Sequence, residues 1–123
     1  MSGGAEARLL GKWGERLVSE RLRKQGWKIV ETNYRCRVGE LDIVAENGNY
    51  IAFVEVKLRK SSGYGLPREA VTAEKQRKLR ATAELYLQSN PTRLQPRFDV
   101  AEVYAPQGMN TPVPEITYIE NAF

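Results

Sequence analysis

A chain of 123 residues with 41% hydrophobic and 28% charged side chains suits one domain with a real core and is too ordinary in composition for a disordered segment. It has no histidine and a single cysteine, Cys36, which excludes Ser-His-Asp and Cys-His catalytic pairs, imidazole or thiolate metal cages and an internal disulfide. The net charge is +4 and no apolar run exceeds five residues, which excludes a transmembrane helix and a secretory core segment; a cytoplasmic protein is expected.

Residues 1–4, Met-Ser-Gly-Gly, read as a frayed terminus of a single domain spanning 1–123. From Ala5 to Gln25 the pattern is helical, with Leu10, Trp13, Leu17, Val18 and Leu22 on one face and Gly26 where a C-terminal cap belongs. Trp27–Glu31 predicts a strand, and Thr32–Arg37 a polar, basic connection. Two apolar runs, Glu40–Ala45 and Tyr50–Leu58, flank Glu46-Asn47-Gly48-Asn49, and Asn-Gly is the favoured pair for a two-residue hairpin turn. A loop rich in Gly and Ser follows over 61–67. Residues 73–88 predict a second helix whose inner face is Leu79, Ala83, Tyr86 and Leu87. Pro91 and Pro96 bracket a turn, Phe98–Tyr104 forms a strand and Ile116–Ile119 a last short one. The order predicts a mixed α/β domain with a central sheet.

Charge is distributed in blocks. Residues 1–40 carry nine Lys/Arg against five Asp/Glu, residues 57–80 eight against two, and between them residues 41–56 hold three acids and no base. The remainder, 81–123, has two bases and five acids. Basic segments flanking an acidic island suit a polyanion such as nucleic acid, and equally a solvated basic surface.

The acidic island falls on the hairpin. With Asn47-Gly48 as the turn, Glu46 pairs with Asn49, Asp42 lies opposite Phe53 and Glu40 opposite Glu55. Alternation then puts Glu40, Asp42, Val44, Ile51, Phe53, Glu55 and Lys57 on one face, and Leu41, Ile43, Ala45, Ala52, Val54, Val56 and Leu58 on the other. Asp42 and Glu55 become diagonal neighbours with Cβ atoms roughly 6–8 Å apart, within reach of one shared Mg²⁺. Lys57 stands two residues beyond Glu55 on the same face. Ionised groups on a central strand are costly without partners, so their convergence points to chemistry; an ordinary ion pair at a solvated sheet end is the competing explanation. A three-residue turn would send Asp42 to the other face and dissolve the cluster.

Gly39-Glu40-Leu41-Asp42-Ile43 followed by Phe53-Val54-Glu55-Val56-Lys57 resembles the core of the PD-(D/E)XK nuclease superfamily. Further pieces are Gly11-x-x-Gly14-Glu15, Asn33-Tyr34-Arg35, Arg59, Lys75 and Arg97-Phe98-Asp99-Val100. With them, the chain from Gly11 to Tyr104 resembles the uncharacterised bacterial YraN-type family, which is similar to archaeal Holliday junction resolvases. Leu41 stands where the superfamily's name has proline. The resemblance implies a restriction-endonuclease-like α/β core, a mixed central sheet of about five strands flanked by helices. It implies Asp42 and Glu55 as ligands of Mg²⁺ (or Mn²⁺), Lys57 assisting the attacking water, and Glu15 as the acidic residue of the first helix. At 100° per residue Glu15 lies about 20° from Leu22 and 60° from Val18, on the border of the apolar face.

These features lead to the expectation of a metal-dependent endonuclease hydrolysing phosphodiester bonds in nucleic acid; the residues do not choose between DNA and RNA or between branched, flapped and single-stranded forms, and the resemblance points to DNA, branched forms included. Arg35, Arg37, Arg59, Lys60, Lys75 and Arg77 are the candidate phosphate contacts. A homodimer would suit a junction with two cleavage points, and no membrane partner is expected. The rival expectation is a nucleic-acid-binding module with a vestigial site, whose binding would survive loss of Asp42 or Glu55.

Overall fold

The computed structural model describes residues 3–60 and 71–123. The elements in chain order are α1 (Gly3–Lys24), β1 (Lys28–Arg35), β2 (Glu40–Glu46), β3 (Tyr50–Arg59), α2 (Ala73–Ser89), β4 (Gln95–Tyr104) and β5 (Glu115–Ile119). The strands form one mixed five-stranded sheet in the order β1-β2-β3-β4-β5, with β3 and β4 parallel and every other neighbouring pair antiparallel. This is the expected restriction-endonuclease-like α/β architecture.

Both helices arise where apolar spacing predicted them. Val18 and Leu22 of α1 are buried against Ile43, Ala45, Ala52, Val54, Ala101 and Val103 on one face of the sheet. Leu79, Ala83 and Tyr86 of α2 are buried against Val44, Ile51, Phe53 and Val100 on the other. A side chain of this kind contributes about 1.5–3 kcal/mol when buried, so the paired layers account for most of the fold's cohesion. Central strands covered on both faces need continuous apolar runs, and Ile51–Val54 is such a run. Gly26, at φ +93°, ends α1 as expected, with Trp27 N–H donating to the Leu22 carbonyl at 2.9 Å. Thr72 caps α2 by accepting from Lys75 N–H.

Four expectations are corrected. Helix α1 begins at Gly3, so two of the residues expected to fray belong to it; the other two, and the Gly/Ser loop over 61–67, lie outside the described residues. Strand β1 continues to Arg35 through the segment expected to be a connection. It does so with a bulge at Val30, and with Asn33 in the left-handed region at φ 55°. Strand β4 begins at Gln95, so Pro96 sits inside it; its missing N–H is tolerated because β5 pairs only from Val100 onward.

The fourth correction concerns the hairpin register. Asn47 N–H donates to the Tyr50 carbonyl, leaving Gly48-Asn49 as the two central turn residues. Asn47 Oδ1 accepts from the N–H groups of Asn49 and Tyr50, at 2.8 and 2.7 Å, so a side-chain-closed turn replaces the expected Asn-Gly one. Val44, not Asp42, therefore lies opposite Phe53. A slip of two residues preserves the alternation, so the split of charged and apolar faces survives. The exception is Leu41, which packs in the cluster beneath α2 with Leu79 and Tyr86.

Asp99, from the Arg97-Phe98-Asp99-Val100 segment, is a structural carboxylate. It is 0% exposed and accepts from Arg97 Nε and Nη2 at 3.0 and 2.9 Å, Tyr118 Oη at 2.6 Å and Asn121 N–H at 2.9 Å, tying β4 to β5. Arg97 in turn lies over the rings of Trp27 and Tyr50.

Candidate active site

The β2–β3 ladder ends at Ile43↔Val54, while β1 follows β2 as far as Arg35↔Glu40. Beyond Ile43, then, β2 stays with β1 and parts from β3. The parting leaves Val56 N–H without a main-chain acceptor, and Asp42 Oδ2 takes that place at 2.9 Å. The aspartate is held by the backbone of the strand that carries Glu55.

Glu55 is 6% exposed, and its Oε2 lies 3.3 Å from Lys57 Nζ and 3.1 Å from Lys75 Nζ. Lys57 comes from the same strand and Lys75 from the first turn of α2. Burial first, and the charge of Glu55 second, push the Asp42 carboxyl up to about 8; the hydrogen bond from Val56 offsets only part of this. Ionising Asp42 beside Glu55 is therefore disfavoured, and a cation entering between them would offset that cost. Asp42, Glu55, Lys75 and Glu40 line a cleft of about 180 Å³ floored by Leu79 and Thr82.

Glu15 approaches from α1. Its Oε1 accepts from Asn33 Nδ2 at 2.8 Å, and burial first, then the charge of Glu40, raises its carboxyl, with Glu55 adding to the effect. Two glycines allow the helices this close to the sheet. A Cβ at Gly14 would stand 2.5 Å from Leu58 Cδ2, so any larger residue there would have to displace the end of the Leu58 side chain. A Cβ at Gly39 would stand 2.8 Å from Thr82 Oγ1 of α2. Gly14 thus fixes where Glu15, the next residue, meets the sheet.

Profile comparison matches residues 14–103 to the uncharacterised protein family UPF0102. The chain belongs to that family. It is the same family as the YraN-type one that the motifs resemble. The chain is 45% identical to a UPF0102 protein of Caldicellulosiruptor saccharolyticus, over 94% of this chain and 98% of the relative. It is 47% identical to one of Syntrophomonas wolfei, with the same coverage, and 46% identical to one of Acetivibrio thermocellus over 94% of this chain and 92% of the relative. Among the described residues, no helix is long and apolar enough to cross a membrane.

The UPF0102 match spans every carboxylate of the site. Among the described residues, no group of three or more carboxylate or thiol side chains stands in metal-holding range; Asp42 and Glu55 are a pair, one short of that number. Two carboxylates suit Mg²⁺, a hard cation that keeps several waters and takes its remaining ligands from substrate phosphate. The cost of ionising Asp42 beside Glu55 is what a divalent ion would offset, so the donor chemistry fits.

The expected phosphate contacts divide. Lys75 enters the cleft, but as a partner of Glu55. Arg35 is 2.7 Å from Glu40 and Arg59 is 3.4 Å from Glu102, so both guanidinium groups are engaged with carboxylates. Arg37, Lys60 and Arg77 are exposed and do not line the cleft. Sequence reasoning missed Lys78 and Thr82, which line the cleft from α2; the spacing Lys75, Lys78, Leu79, Thr82 marks one helical face and was a usable signal. It also missed Asn33, whose side chain orients Glu15. Cys36 lies near the same rim: desolvation raises its thiol, but hydrogen bonds from Val38, Gly39 and Thr82 outweigh it and lower the value overall.

Proposed function

We propose that this UPF0102 protein is a metal-dependent phosphodiester hydrolase acting on nucleic acid, with DNA, branched forms included, as the first substrate class to test. The observation that supports it most is the meeting of Asp42 and Glu55 in one cleft where the β2–β3 ladder opens, with Lys57 Nζ 3.3 Å from Glu55 Oε2. Packing alone gives no reason to bury two carboxylates side by side, because each raises the cost of ionising the other. A divalent cation would supply that reason.

In this reading Asp42 and Glu55 hold Mg²⁺, for which Mn²⁺ substitutes. The bound ion would lower the pKa of a coordinated water and neutralise charge building on the scissile phosphate. The chain's own groups do the rest. Lys57, a compact ammonium beside Glu55, positions the attacking water and faces the charge that develops in the transition state. Lys75 restrains Glu55 from the α2 side. Glu15, set by Asn33, adds a carboxyl at the α1 border of the site. Hydrolysis forms one P–O bond from water and breaks one P–O bond to sugar, leaving a phosphate monoester and a hydroxyl, and no histidine is required.

The test is a cleavage screen over duplex, single-stranded, flap and four-way DNA with Mg²⁺ or Mn²⁺, run beside Glu55→Gln. Metal-dependent cleavage lost in the variant supports the hydrolase. Binding without cleavage on all four substrates, unaffected by Glu55→Gln, replaces it with a binding module.

A further inference from the structure

The cations nearest the cleft are committed to carboxylates, so the substrate's phosphates need others. A second trough, of about 280 Å³, lies between α1 and β1. Its α1 wall is Lys12, Arg16, Ser19 and Arg23, spaced i, i+4, i+7 and i+11 as one helical stripe. Its β1 wall is Thr32 and Asn33. Among the described residues, Lys12, Arg16 and Arg23 form no salt bridge within 4 Å, although the charge of Lys12 acts on Glu15; Arg35, Lys57, Arg59, Lys75 and Arg97 all form one. All three are exposed.

The acid that lines this trough, Glu15, is already engaged, its Oε1 accepting from Asn33 Nδ2 at 2.8 Å. Glu15 also lies within electrostatic range of Glu40, Asp42 and Glu55, three of the cleft's carboxylates, which sets the trough beside the cleft. At 1.5 Å per residue the stripe from Lys12 to Arg23 extends about 16 Å, the length of several nucleotide steps. Serine, threonine and asparagine between the cations offer neutral partners for phosphate oxygens.

We propose that the α1–β1 trough is the binding track for the nucleic-acid backbone flanking the scissile phosphate, with Lys12, Arg16 and Arg23 as its phosphate contacts. This rests on the hydrolase reading only for the direction of the strand, which leaves the cleft past Glu15. The contacts are to phosphate, so the track reads no sequence. A single strand, or one strand of an opened junction, is the form whose backbone a single row of cations can follow.

The test compares two triple variants of equal charge. Lys12→Gln/Arg16→Gln/Arg23→Gln empties the track, and Lys24→Gln/Lys28→Gln/Arg93→Gln removes the same charge from exposed residues elsewhere. Anisotropy with a labelled single-stranded oligonucleotide and a forked duplex, in EDTA and over a salt series, gives affinity and salt slope. Each lost contact on a single strand removes about 0.7 from the slope of log K against log salt, so the track variant should lose roughly 2 and bind at least tenfold more weakly at 0.1 M salt. The control should stay within a few-fold of wild type, and circular dichroism checks that both fold. Equal weakening in the two variants would overturn the track, leaving only a general field. No binding by wild type at about 50 mM salt would overturn track and hydrolase together. Track-dependent binding without metal-dependent cleavage would overturn the hydrolase alone.

Discussion

Replacing Asp42 by asparagine should stabilise the metal-free protein, by an amount that grows with pH. Asparagine keeps an oxygen to accept Val56 N–H but removes the charge that burial and Glu55 penalise. The carboxyl titrates near 3.8 when unperturbed and is pushed up to about 8 in the fold. Below 3.8 both states are protonated and the substitution costs or gains nothing electrostatically. Between 3.8 and 8 the native state binds more protons than the unfolded one, so wild-type stability falls as pH rises; above 8 the whole penalty is present. Some four pK units correspond to roughly 6 kcal/mol as an upper bound. Effective dielectrics near 20 and access of water through the cleft reduce this to a gain on the order of 2 kcal/mol. For a domain of this size that is a Tm increase of about 5–10 °C.

Thermal melts of both proteins in EDTA, from pH 4 to pH 9, measure it. The Tm gap should be near zero at pH 4 and greatest at pH 8–9. Saturating Mg²⁺ or Mn²⁺ should then narrow the gap at high pH by stabilising wild type alone. A pH-independent gap, or a variant less stable than wild type at pH 9, would refute the electrostatic account of the site.

Three further outcomes are expected. Lys57→Ala should lower metal-dependent cleavage about 10²-fold or more, with nucleic-acid affinity within a few-fold of wild type and Tm little changed, because Lys75 still neutralises Glu55; Lys57→Arg should not restore the rate. A large fall in Tm with no cleavage to lose would make Lys57 a structural counter-ion. Gly14→Ala should cost about 1–3 kcal/mol in urea unfolding, since its Cβ must displace Leu58, and an unchanged midpoint would mean α1 is not constrained there. Asp99→Asn should cost about 3–5 kcal/mol by leaving Arg97 without its buried partner, yet retain cleavage at a temperature where it is folded; the reverse pattern would move Asp99 into the site.

The helices were legible because their signal is redundant. Four or five apolar positions at helical spacing fix a face, and Gly26 marks an end. The charged face of the hairpin was legible for a different reason: side chains alternate with period two, so Asp42, Glu55 and Lys57 stayed together through a register error of two residues. The error itself came from Asn47, whose side chain closes the turn one residue later than the Asn-Gly preference implies. Pairings between distant elements carry no local signature. Lys75 reaches Glu55 from another element across the sheet face, and Arg59 reaches Glu102 from a neighbouring parallel strand. Neither spacing nor composition reveals which cations a fold will neutralise, so a list of candidate phosphate contacts read from charge alone included several that carboxylates already hold.

The same carboxylate serves the fold and the site, and this explains why the sheet tolerates its open end. Where β2 leaves β3, Val56 N–H needs an acceptor, and an unsatisfied buried donor costs about 1–3 kcal/mol. Serine, threonine or asparagine could supply an acceptor without burying charge. Aspartate supplies it and adds a negative group beside Glu55, a combination that disfavours the metal-free state. The aspartate therefore has a role that hydrogen bonding does not require. Glu55 shows the same asymmetry: it takes two lysines from two elements, whereas one would balance its charge. The two lysines on one side and the paired carboxylates on the other thus give the cleft two faces of opposite charge.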